Sequence, residues 1–280
     1  MIKKLFSFFC VLICLWSCKA EKVTIPAYVQ IDDYKVITDS LTQGTTNQKF
    51  TDMLVFGNGQ SCGTFPVGKP IPIIASGPTH ILIRGVVEIN GVSGVRADYE
   101  LMAGCDTNIT ITTGAITKIK PVFKYFTGVV FKLIDNFDVT NPVLNNPNLD
   151  TTTKIVSPGI GGTGKCLILM PNPAITVSEV VTTSLNLPSG GVGVYLELNY
   201  YSNVAINVSV KGLGSGTSLD VGGVYPSPSG WNKVYFNLTE QVSNLHESAN
   251  KYSITLYSVY DGSVGANFAK IDNIKVVSKQ

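Results

Sequence analysis

Histidine is nearly missing from this 280-residue chain, which holds only His80 and His246. A zinc centre draws on several closely spaced His, Cys or carboxylate ligands. Two distant histidines and no Cys-x-x-Cys pair argue against one. The one Gly-x-Ser-x-Gly match, Gly59-Gln60-Ser61-Cys62-Gly63, falls at a hairpin turn and not at the strand-to-helix turn of a nucleophile elbow, so it makes no serine-hydrolase site with either histidine. Charge is also scarce: Asp, Glu, Lys and Arg make up 14% of residues, with 21 basic and 19 acidic side chains. No basic patch of the kind that binds a phosphate backbone is visible, so nucleic acid is not an expected partner. No segment reaches the ~18–20 uninterrupted apolar residues of a membrane-spanning helix.

What is present begins with MIKKLFSFFCVLICLWSCKAEK. Lys3 and Lys4 precede an apolar run from Leu5 to Trp16. A short positive region followed by a run of about a dozen apolar residues is the pattern of a secretory signal. Its end, Leu15-Trp16-Ser17-Cys18, resembles a bacterial lipobox, in which the cysteine becomes the lipidated first residue after cleavage. Trp16 departs from the small residue that motif prefers, and an ordinary cleaved signal is the alternative. The resemblance implies a signal peptide over 1–17, lipidation at Cys18 and a tether over 18–24. Lys19-Ala20-Glu21 lacks the Asp of inner-membrane retention and any strong acidic export run, so an outer-membrane anchor is expected, its face left open. Several acyl chains, each methylene contributing ~0.8 kcal/mol, hold where a single chain does not.

Removal of residues 1–17 takes away two lysines and no acid, which leaves 19 basic against 19 acidic side chains. Cys10, Cys14 and Cys18 belong to the signal or its end; Cys62, Cys105 and Cys166 remain. A Cys62–Cys105 disulfide is a candidate in an oxidising compartment. Three small buried residues are the other reading.

GIGGTGKC, residues 159–166, nearly matches a phosphate-binding loop. Cys166 stands where a magnesium-binding hydroxyl belongs, and Pro171 and Pro173 forbid the helix such a loop needs. The stretch therefore reads as a flexible turn leading into a strand, and no nucleotide is expected.

Short strands separated by turn residues run through both halves, which predicts an all-β protein of two domains, 25–127 and 128–280. KFTDMLVFGNGQSCGTFPV is a hairpin around Asn58-Gly59. PIPIIASG, THILIRGVVEINGV and NITITTGAITKIKPVF supply further strands, and Thr239–Ala249 is the one short helix expected. In the second half, GKCLILM, GVGVYLELNYY, VAINVSVKG, GWNKVYFNLTE, KYSITLYSVY and AKIDNIKVV read as a sandwich.

The segments Ile25-Pro26-Ala27-Tyr28-Val29 and Ile31-Asp32-Asp33-Tyr34, with the hairpin from Thr51-Asp52-Met53 to Gly63-Thr64-Phe65-Pro66, resemble an outer-membrane lipoprotein family of Bacteroidota with a PEGA-like β domain. That resemblance implies a membrane setting and a scaffold module, not a reaction. Ile134-Asp135-Asn136-Phe137-Asp138, Gly230-Trp231-Asn232-Lys233-Val234-Tyr235-Phe236 and Ile271-Asp272-Asn273-Ile274 resemble the jelly roll of carbohydrate-binding modules and galactose-binding-like domains. Similar jelly rolls carry a structural calcium near their first and last strands, which implies Asp135, Asp138 and Asp272 as ligands; bonding to nearby backbone is the alternative.

Tyr200, Tyr201, Tyr225 and Trp231 form the candidate glycan platform, with Tyr257 and Tyr260 as further rings. Large aromatics also serve the core, which is the competing role for each. Glu197 is the one glutamate flanked by aromatics on a strand, yet the scattered carboxylates suggest no glycosidase pair. Asp32 and Asp33 point to opposite sides of an extended chain, so local hydrogen bonding is expected of them. These features predict a non-enzymatic interaction or scaffold module, an accessory subunit of an outer-membrane complex. The alternative is a surface glycan-binding lipoprotein.

Overall fold

The computed structural model describes residues 25–139 and 143–280. The signal segment, Cys18 and the tether lie outside the described residues. Among the described residues the fold is all-β with one short α-helix, Thr239–Leu245.

In the N-terminal half the hairpin forms as expected. Asp52–Gly57 pairs with Gln60–Pro66, and Asn58 and Gly59 take φ of 48° and 80°, the positive values of a tight two-residue turn. The long strand Gly77–Glu88 lies against Asp52–Gly57 on one edge and against Cys105–Ile111 and Arg96–Asp98 on the other. Two smaller sheets close the domain, ordered Ile116–Lys118, Ala27–Gln30, Pro70–Ile73 and Lys35–Ile37, Val122–Tyr125, Met102–Ala103. In both, an early strand pairs in parallel with a late one. This stitches the start of the described chain to the end of the domain.

The C-terminal half is a two-sheet sandwich. One sheet runs Thr153–Val156, Cys166–Leu169, Ala269–Ser278, Val194–Ser202, Asn232–Asn237, with Val130–Asp135 also paired to Ala269–Ser278. The other runs Leu144–Asn145, Val177–Thr182, Lys251–Val259, Ile206–Gly212, Ser218–Val224, with Leu185–Asn186 paired to Lys251–Val259. Alternation puts Leu196 and Leu198 of the first sheet against Val208, Val210, Ile254 and Leu256 of the second, all fully buried.

The outer face of the first sheet is not free. Tyr195, Tyr235 and Val277 point away from the sandwich and join the N-terminal core. Between them stands Glu197, fully buried. Its carboxylate receives the hydroxyls of Tyr99 and of Tyr125 (2.6 Å) and the Gln48 amide at 2.9 Å, all from the N-terminal half. From its own sheet, Lys233 Nζ reaches Glu197 Oε2 at 3.0 Å. Tyr235 donates to Gln48 Oε1 at 2.6 Å, and Lys275 donates to the Thr45 carbonyl at 2.8 Å with its Nζ 5.5 Å from the Tyr125 ring centre.

Burial alone would raise the Glu197 pKa, but Lys233, Lys275 and the two tyrosine hydroxyls outweigh it and hold it down to about 2. Burial foremost, and then the Glu197 charge, pushes the Tyr99, Tyr125 and Tyr235 hydroxyls well above their ordinary value, so all three stay donors. Of the aromatics of KPVFKYFTG, Tyr125 belongs to this contact and meets Phe131 edge-on at 4.8 Å, Phe123 is buried against Tyr34 and Phe50, and Phe126 is exposed.

Removing the charge strands Lys233 in the interior, so Glu197→Gln is expected to destabilise the protein by about 3–5 kcal/mol in urea melts at neutral pH. Because the folded pKa lies below the unfolded one, this stabilisation is complete above the ordinary glutamate range. It is lost as pH falls from about 4 toward 2. The wild type should weaken across that window, and the variant should show a flatter profile there.

Candidate binding face

With one side of the sandwich sealed against the N-terminal half, the outer face of the second sheet is the open one. Its composition follows from strand alternation. Ser178, Val180, Ile206, Val208, Leu256 and Ser258 are buried, so Glu179, Asn207 and Tyr257 between them face outward. Glu179, Tyr257, Asn207 and Gly223 lie abreast in register across four strands. The next row is Val181, Thr255, Ser209 and Asp220. Neighbouring strands are ~4.8 Å apart, so the aromatic ring stands beside a carboxylate and a carboxamide.

Each member is held. Asn148 donates to Glu179 Oε1 at 2.9 Å, which leaves Oε2 for a further donor. Burial, then the Asp220 charge, raises the Tyr257 hydroxyl, which keeps it protonated. A Cβ on Gly223 would lie 2.4 Å from Asn207 Oδ1, so only glycine leaves Asn207 in place.

The expected platform residues do not gather. Tyr200 is buried in the core, a correction to its placement in a platform, because position 200 alternates onto the inner face; its hydroxyl accepts Asn232 Nδ2 at 3.2 Å. Tyr201 and Trp231 do meet, 6.2 Å apart, both half-buried as Tyr257 is, and Tyr201 packs edge-on against Phe268 at 5.1 Å. Tyr225 stands 85% exposed at the start of the loop before Trp231. The central ring is Tyr257. Its signal was the alternation in KYSITLYSVY, where Tyr252, Ile254 and Leu256 take the inner face.

Asp135, Asp138 and Asp272 come to one end of the sandwich, around the glycine loop. All six carboxylate oxygens already accept an N–H. Asp135 takes those of Phe137 (2.7 Å) and Val143 (2.9 Å). Asp138 takes those of Lys165 (2.8 Å) and the Asn136 side chain (2.8 Å). Asp272 takes those of Ile160 (2.9 Å) and Asn273 (2.7 Å). Burial, with the Asp138 and Asp135 charges behind it, raises the Asp272 pKa against those two donors. Among the described residues no group of three or more His, Cys, Asp or Glu side chains is placed to hold a metal.

The loop is a turn into the strand Cys166–Leu169, as read from its prolines, but it is pinned rather than flexible. A Cβ on Gly159 would sit 2.6 Å from the Lys165 carbonyl and 2.7 Å from Asp272.

Cys62 and Cys105 are free thiols, which corrects the candidate disulfide. Gly63, Val55, Ile83 and Cys105 lie abreast on four successive strands, so two strands separate the cysteines, three spacings of ~4.8 Å, beyond disulfide reach. Asp32 accepts Gln30 Nε2 at 2.5 Å and Asp33 accepts the Tyr34 N–H at 2.7 Å, the local bonds expected of them, and each also pairs with a lysine distant in sequence, Asp32 with Lys118 at 2.7 Å and Asp33 with Lys120. Glu197, the glutamate flagged for its aromatic neighbours, is sealed inside the interface rather than set in a cleft. A cleft of about 660 Å³ does open at the junction of the halves, walled by the Arg84–Asp98 and Lys279–Glu100 pairs and by Phe126.

No protein-family model and no curated protein matches the chain. Among solved structures, it is similar to a family 29 carbohydrate-binding module complexed with cellulohexaose, at 13% identity and a TM-score of 0.36 over 55% of this chain and 94% of that one. It is similar to xylanase 10B modules of Clostridium thermocellum complexed with xylohexaose, at 14% identity and a TM-score of 0.39 over 54% of this chain and 28% of that one. A third is a family 61 module in complex with β-1,4-galactotriose, at 12% identity and a TM-score of 0.32 over 49% of this chain and 87% of that one. The sandwich assignment stands on the strand order above, and the lipoprotein and PEGA resemblance on its quoted residues alone.

Millimolar calcium or EDTA should leave the melting temperature unchanged, because the carboxylates are served by backbone. Gly159→Ala should lower stability by about 1–3 kcal/mol, since its Cβ meets a carbonyl that cannot swing away.

Proposed function

We propose that this chain is a non-catalytic glycan-binding protein, lipid-anchored through Cys18 at the outer membrane. The observation that carries the reading is the Glu179–Tyr257–Asn207 row on the open sheet. A pyranose presents apolar C–H faces and a rim of hydroxyls. A tyrosine ring matches the first, and flanking carboxylate and carboxamide groups match the second. Neighbouring strands are spaced on the scale of one sugar unit, so several rows offer a chain of sugars a continuous track. The row is shallow and lacks an opposed carboxylate pair, which suits binding better than glycoside cleavage. It ranks glycan binding ahead of the scaffold role.

Affinity electrophoresis against a panel of soluble polysaccharides tests this. Tyr257→Ala is expected to weaken binding at least tenfold, about 1.4 kcal/mol, while leaving the melting curve in place. Tyr200→Phe should leave binding unchanged. Failure of the wild type to bind any glycan on a broad array would overturn the reading. For the anchor, Cys18→Ser should release the protein from the membrane fraction and remove the acyl mass from its N-terminal peptide.

A further inference from the structure

The small sheet at the start of the described chain carries an apolar face that none of the described elements covers. Ala27, Val29, Ile71 and Ile73 point inward and are buried. Alternation therefore turns Tyr28, Pro72 and Ile74 outward, and Ile116 joins them across the parallel ladder. Pro72, Tyr28 and Ile116 lie abreast in register. Ile74, Ile116 and Ile25 are 77%, 53% and 61% exposed. Ile25 closes the patch beside Gly114, whose N–H donates to the Pro26 carbonyl at 3.0 Å. One row further along, Pro70, Gln30 and Lys118 lie abreast, Lys118 paired with Asp32 and Lys120 with Asp33, and Lys69 is exposed nearby. The face thus grades from apolar to charged over two residues of strand.

Exposed isoleucines that cluster at one place, rather than standing singly as Leu41 and Leu149 do, mark an interaction site. Their position names the occupant. The patch surrounds the point where the chain enters from Cys18, and residues 18–24 reach at most ~25 Å when fully extended, at ~3.6 Å per residue. A lipid on Cys18 therefore holds this face within reach of the bilayer. An apolar tip with a charged rim behind it, the Lys118–Asp32 and Lys120–Asp33 pairs and Lys69, matches the layering of acyl chains and zwitterionic or charged headgroups.

We infer that the Ile25–Ile74–Ile116 face seats on the membrane surface, so that the lipid anchor and the sheet act together. The seat fixes the orientation of the whole molecule on the bilayer. The inference rests on the lipidation proposed above.

The test uses the lipidated protein in vesicles of phosphatidylethanolamine and phosphatidylglycerol, after mass spectrometry of the Cys18 peptide. Cys62→Ser and Cys105→Ser clear the background, and an environment-sensitive fluorophore is placed in turn at Ile74→Cys, Ile116→Cys and Leu213→Cys, the last on the sandwich. Emission at 74 and 116 should shift to the blue and be quenched by brominated lipid, with 213 unaffected. Lipidated, vesicle-bound protein with no quenching at 74 or 116 would overturn the seat and leave the anchor standing. A blue shift without lipid quenching, together with a doubled mass in detergent, would assign the face to a second copy instead. An unmodified Cys18 and protein free in solution would overturn both. Ile74→Asp combined with Ile116→Asp gives an independent readout: faster protease cleavage of the 18–24 tether on vesicles and no change in the melting curve.

Discussion

A buried carboxylate organises this molecule. Glu197 sits on the outer face of a sandwich sheet, where a charge would ordinarily meet water. Instead it is enclosed by two tyrosine hydroxyls, a glutamine amide and an ammonium group. An unpaired charge in such a place is costly, and the cost is offset only when all partners are present together. Three of those partners come from the N-terminal half and the fourth from the sandwich. The halves are therefore joined by a geometry-sensitive polar cluster inside an apolar rim of Tyr195, Val277 and Phe131, which favours one docking arrangement over a sliding contact.

That commitment distributes the remaining surfaces. The sealed sheet is removed from ligand contact, which turns Glu197 from a catalytic candidate into an internal fastening. The opposite sheet is left with Tyr257 and its polar neighbours in the open. At the far end of the sandwich, the glycine loop lays backbone N–H groups onto Asp138 and Asp272. Partial positive charge from the peptide groups there meets a need that a cation meets elsewhere. The N-terminal half keeps its apolar strip where the described chain begins, so the three surfaces differ in chemistry.

Much of the architecture was legible along the chain. Asn58-Gly59 specified a hairpin through its positive φ angles, Pro171 and Pro173 excluded a nucleotide-binding helix, and alternation in the later strands specified a sandwich. These are local properties, set by backbone sterics and by a side-chain period of two residues. Alternation also divides each strand into two faces, but it does not say which face meets the core, since that depends on register with strands distant in sequence. Tyr200 and Tyr257 show the consequence: both are strand tyrosines beside polar residues, one buried and one presented. Cys62 and Cys105 show it again, because only the sheet order places two strands between them.

By itself, then, the sequence determined the all-β class and the hairpin turn at Asn58-Gly59. Tertiary structure alone decided that Glu197 is enclosed between the halves, that each oxygen of Asp135, Asp138 and Asp272 accepts an N–H, and that Tyr200 faces the core while Tyr257 faces outward. The physical reason is that burial and pairing are properties of neighbours. Gln48, Tyr99 and Tyr125 stand 149, 98 and 72 positions from Glu197, and no local pattern encodes a contact at that range.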